Sequence, residues 1–379
     1  MLKRPRSCLV FSRTSRTRVG TTCDILTIAI LAVMCRADDW SEVAWYAESW
    51  EPWLATFLTL PKGIPCEDTF RRVFARLDPE AFERCFIRWT TALAEAGGEA
   101  PEGRLIPLDG KTMRRSFERA WNKQGLHPVS AWSEHNQIVP GQLAVAEKSN
   151  EITAIPKLLE LLNIRKAVVT IDAMGCRREI AGQIKSRGGD YVPAVKDNQP
   201  KLHDKVRCLL DEAVPDGFKG MSHGYDEQSN EGHGRRETRK VWVTDEVKWL
   251  GPELLALWPG LAGVAMVERT RQNPGDMTGK VSIDRGYYIA SLKGTDAVKM
   301  AGAIRGHWAV ENKLHWCLDT AFGEDGSRLR KDHSAENFSR LRRMAMNQLR
   351  KQPDRKISLK GQRFLCSLDP EYLLKRLQQ

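Results

Sequence analysis

No stretch of the 379-residue chain approaches the roughly 20 consecutive apolar residues that a membrane span needs, so an integral membrane protein is not expected. The nine cysteines are scattered, odd in number and free of any C-x-x-C pair. That excludes a disulfide framework or a cysteine-rich zinc site and points to a reducing compartment. Acidic residues are missing from 1–18, which carry six Lys/Arg, and are scarce from Ser327 to Arg363, where twelve Lys/Arg face three acids. The whole chain has a formal charge of +11 and a pI near 9.2, so the remainder is slightly acidic. Basic segments on an acidic body suit a polyanionic partner. A solvated basic face explains the charge equally well.

What is present is a regular order of elements. Residues 1–23 lack periodicity and read as a poorly ordered basic leader. Ile25–Met34 is apolar and follows basic residues, as in a signal peptide, yet it runs into an amphipathic helical pattern and reads better as a buried helix. Residues 24–97 read as short helices over 25–36, 41–51, 53–57, 67–76 and 79–95, with Asp24 and Ser41 as caps. A Gly-rich linker at 97–103 follows. Beyond it come strand 104–109, a hairpin pair at 129–133 and 138–146, helix 151–162, strand 167–172, helix 177–187 ending at Gly188-Gly189, and strand 191–195. Strands reached through a helix must cross over right-handedly. This is the order of a ribonuclease-H-like core. Residues 200–294 read as a mostly β insertion with strands at 237–243, 263–269 and 281–291 and a turn at Asn273-Pro-Gly-Asp. A final core helix starts near Asp296, the chain is helical and basic from Ser334 to about Lys351, and 351–379 form a tail. The expected fold is therefore α/β: a ribonuclease-H-like mixed sheet core over 104–350, a β-rich insertion and an N-terminal helical domain.

Three carboxylates stand out in that frame. Asp109 and Asp172 end apolar strand runs that are neighbours in such a sheet, and Glu311 lies on a later helix after a long interruption. Magnesium binds through a few oxygen ligands and keeps several waters. Two such ions about 3.5–4 Å apart can clamp the attacking and leaving oxygens of a phosphodiester. Asp109, Asp172 and Glu311 are thus the expected metal and catalytic set, with Mg2+ or Mn2+ as cofactor. A rival zinc set, His307, Glu311 and His315, shares one helix face at i, i+4, i+8. His307 and His315 fit phosphate contact, hydrogen bonding to Glu311, or an ordinary core role. Lys111, Arg114 and Arg115, which follow Asp109, and Arg305, which precedes Glu311, are candidate phosphate contacts or a solvated surface. Arg340, Arg343 and Arg350 on the basic helix are read as DNA-backbone contacts. Glu324-Asp325 is a further acidic pair, ranked below Glu311 because it lies in a Gly-flanked loop.

Segments across 24–350 carry a resemblance: "DILTIAILAVMCRADDW", "GIPCEDTFRRVFARLDPEAFERCF", "IPLDGKTMRRS", "VVTIDAMGCRREIA", "GGDYVPAVKDNQPKL" and "IRGHWAVENKLHWCLDTAFGED". The chain closely resembles the DDE insertion-sequence transposases of the H-repeat-associated group. The resemblance implies a helical associated domain, a ribonuclease-H-like catalytic core, cut-and-paste transposition with magnesium, and the triad Asp109, Asp172, Glu311. It departs from the pattern at residues 1–23, at Arg36 and Asp197 where Gly is expected, and at Ile304, His307 and Leu318, where hairpin-forming relatives carry Tyr, Arg and Lys. The expected partners are double-stranded DNA, both element ends and target, bound by a homodimer without a membrane, in the cytoplasm at the nucleoid. A decayed DNA-binding remnant and a stand-alone ribonuclease-H-like nuclease are the alternatives.

Overall fold

The computed structural model describes residues 19–114, 125–145, 151–232, 235–272, 281–351 and 356–377, apart from 97 and 99. Most of the expected leader, the turn at 273–276 and Arg115 lie outside the described residues. Among the described residues no helix is long and apolar enough to cross a membrane. The chain divides into two compact units: residues 1–100, 110–150 and 311–379 form the first, and 101–109 with 151–310 the second.

The first unit begins with helices α1 (Val19–Met34), α2 (Trp40–Ser49), α3 (Glu51–Leu54), α4 (Glu67–Arg76) and α5 (Pro79–Ala96). The second unit holds strand β1 (Leu105–Gly110) up to Asp109. Strands β2 (His127–Ser133) and β3 (Ile138–Val145) return to the first unit as an antiparallel hairpin. The second unit then continues with α6 (Glu151–Leu161), β4 (Val168–Ile171), α7 (Arg178–Ser186), β5 (Asp190–Val195), α8 (Pro200–Ala213), β6 (His223–Gly232), β7 (Arg235–Thr244), α9 (Pro252–Leu257), β8 (Gly263–Gln272), β9 (Val281–Ala290) and α10 (Ala297–His307). The first unit closes with α11 (Trp316–Phe322), α12 (Ser334–Arg350), α13 (Leu359–Leu368) and α14 (Pro370–Leu377).

In the second unit the strands lie in the order β1-β4-β5-β9-β8-β7-β6. The pairs β1–β4 and β4–β5 are parallel, and the rest of the series is antiparallel. The parallel strands are apolar on both faces, as helix-covered strands must be. Helix α10 packs Met300, Ala301, Ala303 and Ile304 against Val168, Val192, Val241, Val243, Ala265 and Val267. In the first unit, α12 packs against α1, α4, α5 and β3 and is itself the centre of the core.

The expected mixed α/β architecture is present. Four expectations are corrected. The insertion is not β at its start: α8 opens it, and β6 lacks the apolar alternation of a half-buried strand, Tyr225 being its single aromatic residue. Asp24 does not cap α1; the helix starts earlier, and the carboxylate accepts from Thr59 Oγ1 at 2.8 Å, tying down that loop. The cap of α2 is Asp39, which accepts from Glu42 N at 2.9 Å, rather than Ser41. The segment expected as a C-terminal tail over 351–379 holds two helices, α13 and α14, that belong to the first unit, and Arg363 is buried with Val33 O as a hydrogen-bond acceptor.

Candidate active site

Parallel pairing sets the second unit's carboxylates. Leu105 pairs with Val168 and Leu108 with Ile171, so Asp109 and Asp172 stand one step beyond the last paired positions. Neighbouring strands run about 4.8 Å apart, which leaves the two carboxylates within reach of one ion. Alternation fixes their side. Val168 belongs to the core under α10 and Leu105 packs against it. Asp172 and Asp109 therefore point to the face that α10 covers. Asp172 also caps a 3-10 turn, Ala173–Gly175, by accepting from Gly175 N at 3.2 Å. A Cβ on Gly175 would lie 2.1 Å from Ile171 Cγ2, so this turn is pressed hard against its strand.

His307 ends α10 beside this pair. Its Nδ1 shares a 3.1 Å hydrogen bond with Thr170 Oγ1, on the same face of β4 as Asp172. Burial pushes its pKa down, and the Asp172 charge and Thr170 pull it partly back. Arg305 is exposed and donates to Gln228 Oε1 on β6 at 2.9 Å. Asp197, in the segment after β5, is exposed and faces His203 Nδ1 at 3.3 Å.

Glu311 lies in the first unit, exposed, on a π-helical stretch over Val310–His315. Such turns are rare and frequently found at functional sites. Within it, Lys313 O accepts from Arg350 Nη2 at 2.5 Å, and Arg350 in turn stacks 4.7 Å from the Trp132 ring. Lys313 is ion-paired with Glu134. Arg350 is thus bound to the stretch that carries Glu311 rather than free to meet DNA. Over Val310–His315 the turns are π-helical and do not keep the 3.6-residue period on which the zinc rival rests. Among the described residues no three His, Cys, Asp or Glu side chains gather closely enough to hold a metal ion.

The remaining candidate cations divide sharply. Lys111 is turned into a partly buried acidic cluster: it pairs with Asp319 and lies 3.4 Å from both Glu324 and Asp325. Glu324 is fully buried and also takes Arg343 Nη1 at 2.7 Å. Burial pushes the Glu324 pKa up, but Arg343, Lys111 and Arg342 outweigh it and hold it at about 2. Nearby His315 is carried down to about 3 by burial, Arg343 and Lys111. Glu324 is therefore a structural carboxylate. Arg340 is buried against Glu83, Glu336 and Asn337. Arg340, Arg343 and Lys111 are corrected from DNA contacts to internal ion pairs; their charge is spent within the unit. Arg114 alone of this group stays open, 84% exposed, 3.3 Å from Asp325. Sequence reasoning missed Glu83 and Glu134 because their partners lie far along the chain.

Comparisons with known proteins agree on a family. The model described as Transposase DDE domain matches residues 100–348, and one described as DDE_Tnp_1-associated matches 12–90. The candidate transposase YncI of Escherichia coli O157:H7 is 40% identical over 92% of this chain and 87% of that protein. The H repeat-associated candidate transposase YhhI of E. coli K12 is 35% identical over 92% of this chain and 90% of that protein. A solved piggyBac transposase synaptic complex with hairpin DNA aligns at a TM-score of 0.33 and 10% identity, covering 98% of this chain and 76% of that one, too slight a likeness to argue from. The chain belongs to the DDE transposase family.

Proposed function

We propose that this chain cleaves insertion-sequence DNA at the element's ends and transfers the freed 3′-hydroxyl to target DNA, as a homodimer on duplex DNA and with a ribonuclease-H-like core. The observation that carries the reading is the register of β1 and β4, which sets Asp109 and Asp172 side by side at the ends of adjacent parallel strands. Parallel β1, β4 and β5 together with the β2–β3 hairpin support that core type.

The donor set is all oxygen, which suits a hard divalent cation, Mg2+ or Mn2+. Asp109 and Asp172 would hold it, and Glu311 is proposed as the third ligand. When bound, the cation supplies Lewis acidity to the attacking and leaving oxygens. The chain's own part is positioning. Asp172 is fixed by its turn, and Thr170 and His307 brace each other beside it. His307 is set beside Asp172, and its burial favours the uncharged imidazole. A binding-only remnant of a transposase is the second reading.

Cleavage of element-end duplex with Mg2+ or Mn2+ separates the two. Asp109→Asn, Asp172→Asn and Glu311→Gln should each abolish cutting while binding persists. Wild type that binds but never cuts makes the chain a remnant. Cutting by all three variants at the wild-type rate removes the proposed site.

A further inference from the structure

Four arginines converge on the α10-covered face of the sheet, three from the insertion strands and one from α10. Strand alternation puts Val241 and Val243 of β7 under α10, and with them Glu237 and Arg239 further along the same face. Ala265 and Val267 of β8 do the same for Arg269 and Arg271. The register sets Arg239 directly opposite Arg269. Like charges directly opposite each other destabilise a sheet. Arg305 comes from α10 to the same place, since its acceptor Gln228 is the cross-strand neighbour of Arg239.

Among the described residues the countercharges are fewer. Glu237 is shared by Arg239 at 3.2 Å and Arg271 at 3.3 Å, and Asp284 takes Arg269 at 2.9 Å. Asp226, on β6, accepts from the Gln228 amide at 3.0 Å. Arg305 is met by that neutral amide. Burial lowers the Arg239 pKa, and Arg305, Arg269 and Arg271 add to the lowering although Glu237 opposes them. Among the described residues, four guanidiniums here face three carboxylates, Glu237, Asp284 and Asp226.

We propose that this face, through Arg239, Arg271 and Arg305 with Arg269 behind them, grips the phosphate backbone of duplex DNA. The inference rests on the transposase reading and assigns the surface that holds the substrate. A row of guanidiniums drawn from β7, β8 and α10 matches repeated phosphates rather than a single anion. The row also leads toward the chemistry: two residues after Arg305, His307 bonds to Thr170 beside Asp172. No base edge is read, so the contact is indifferent to sequence.

The test is the salt dependence of binding by the full chain to a random-sequence duplex in EDTA. Each phosphate contact contributes a log–log slope of about −0.9, so Arg271→Gln with Arg305→Gln should flatten the slope by about 2 units. Arg271→Lys with Arg305→Lys should restore most of it. Arg285, on the opposite face and paired with Glu268 at 2.9 Å, is the control; Arg285→Gln should leave the slope unchanged. Should the Gln pair melt early, the single Arg305→Gln variant and the Lys pair decide the matter. An unchanged slope in a wild-type-like fold overturns the proposal, as does an equal flattening by Arg285→Gln. If wild type binds no duplex, the transposase reading falls as well. If wild type binds and cuts but the Gln pair keeps its slope, this inference falls alone.

Discussion

Replacing Arg340 with Met should destabilise the first unit's core without touching DNA affinity. Arg340 and Glu83 are each 1% exposed and meet at 2.5 Å through Nε and Oε2. The other Glu83 oxygen accepts from Gln142 N at 2.8 Å, while Arg340 also donates to Glu336 and Asn337. Removing the arginine leaves a buried carboxylate with one backbone donor. Breaking such a pair destabilises by about 3–5 kcal/mol. A unit of this size loses about 2–4 °C per kcal/mol, so the melting temperature should fall by roughly 10 °C. Burial already pushes the Glu83 pKa up, with Arg340 opposing it. Without Arg340 the rise is larger. A carboxyl whose folded pKa is raised loses stability as pH climbs from the unfolded to the folded value. The variant should therefore recover part of its deficit at acidic pH. Glu83→Leu with Arg340→Met should lose less than the sum of the single changes. Thermal melts at several pH values and salt-titrated duplex binding read these effects. A loss under 1 kcal/mol, or a salt slope flattened by about 0.9, would place Arg340 against phosphate and refute the reasoning.

Glu324, held at about 2, should add stability that is complete above pH 4.5 and drains away as pH falls toward 2; Glu324→Gln should flatten that acid limb in pH-dependent melts. Arg36 has φ +78°, so Arg36→Gly should be about 1 kcal/mol more stable than Arg36→Ala, both lacking the contact with Phe364; equal urea midpoints would rule out left-handed strain. A Cβ on Gly224 would lie 1.8 Å from Thr295 O, a backbone atom that cannot turn aside, so Gly224→Ala should destabilise the second unit by at least about 2 kcal/mol in denaturant titration. Arg350→Met should reduce cleavage by tenfold or more while duplex affinity changes less than twofold, because Arg350 holds the turn that carries Glu311; equal loss of both would return it to the DNA surface.

Much of the architecture was legible because it is local. Apolar runs ending in Asp109 and Asp172 gave both strands to within a residue or two, and Gly188-Gly189 marked the end of α7, where Gly188 has φ +74°. The misfit at Arg36, where glycine was expected, reappears as a left-handed residue. These signals depend on backbone period and on conformations that few residues tolerate, and a chain carries both in its order. The basic helix misled for the opposite reason. Counting charge over 327–363 records how many cations there are and says nothing about their partners. Arg340 meets Glu83 from 257 positions away and Arg363 meets Val33 O from 330, contacts that exist only after the chain has folded back on itself. Desolvation then decides the outcome: a cation with an acid waiting inside can be buried, and one without stays in water. Whether an arginine holds the core or faces DNA was therefore decided by tertiary structure. The carboxylate pair at two strand ends was already written in the sequence.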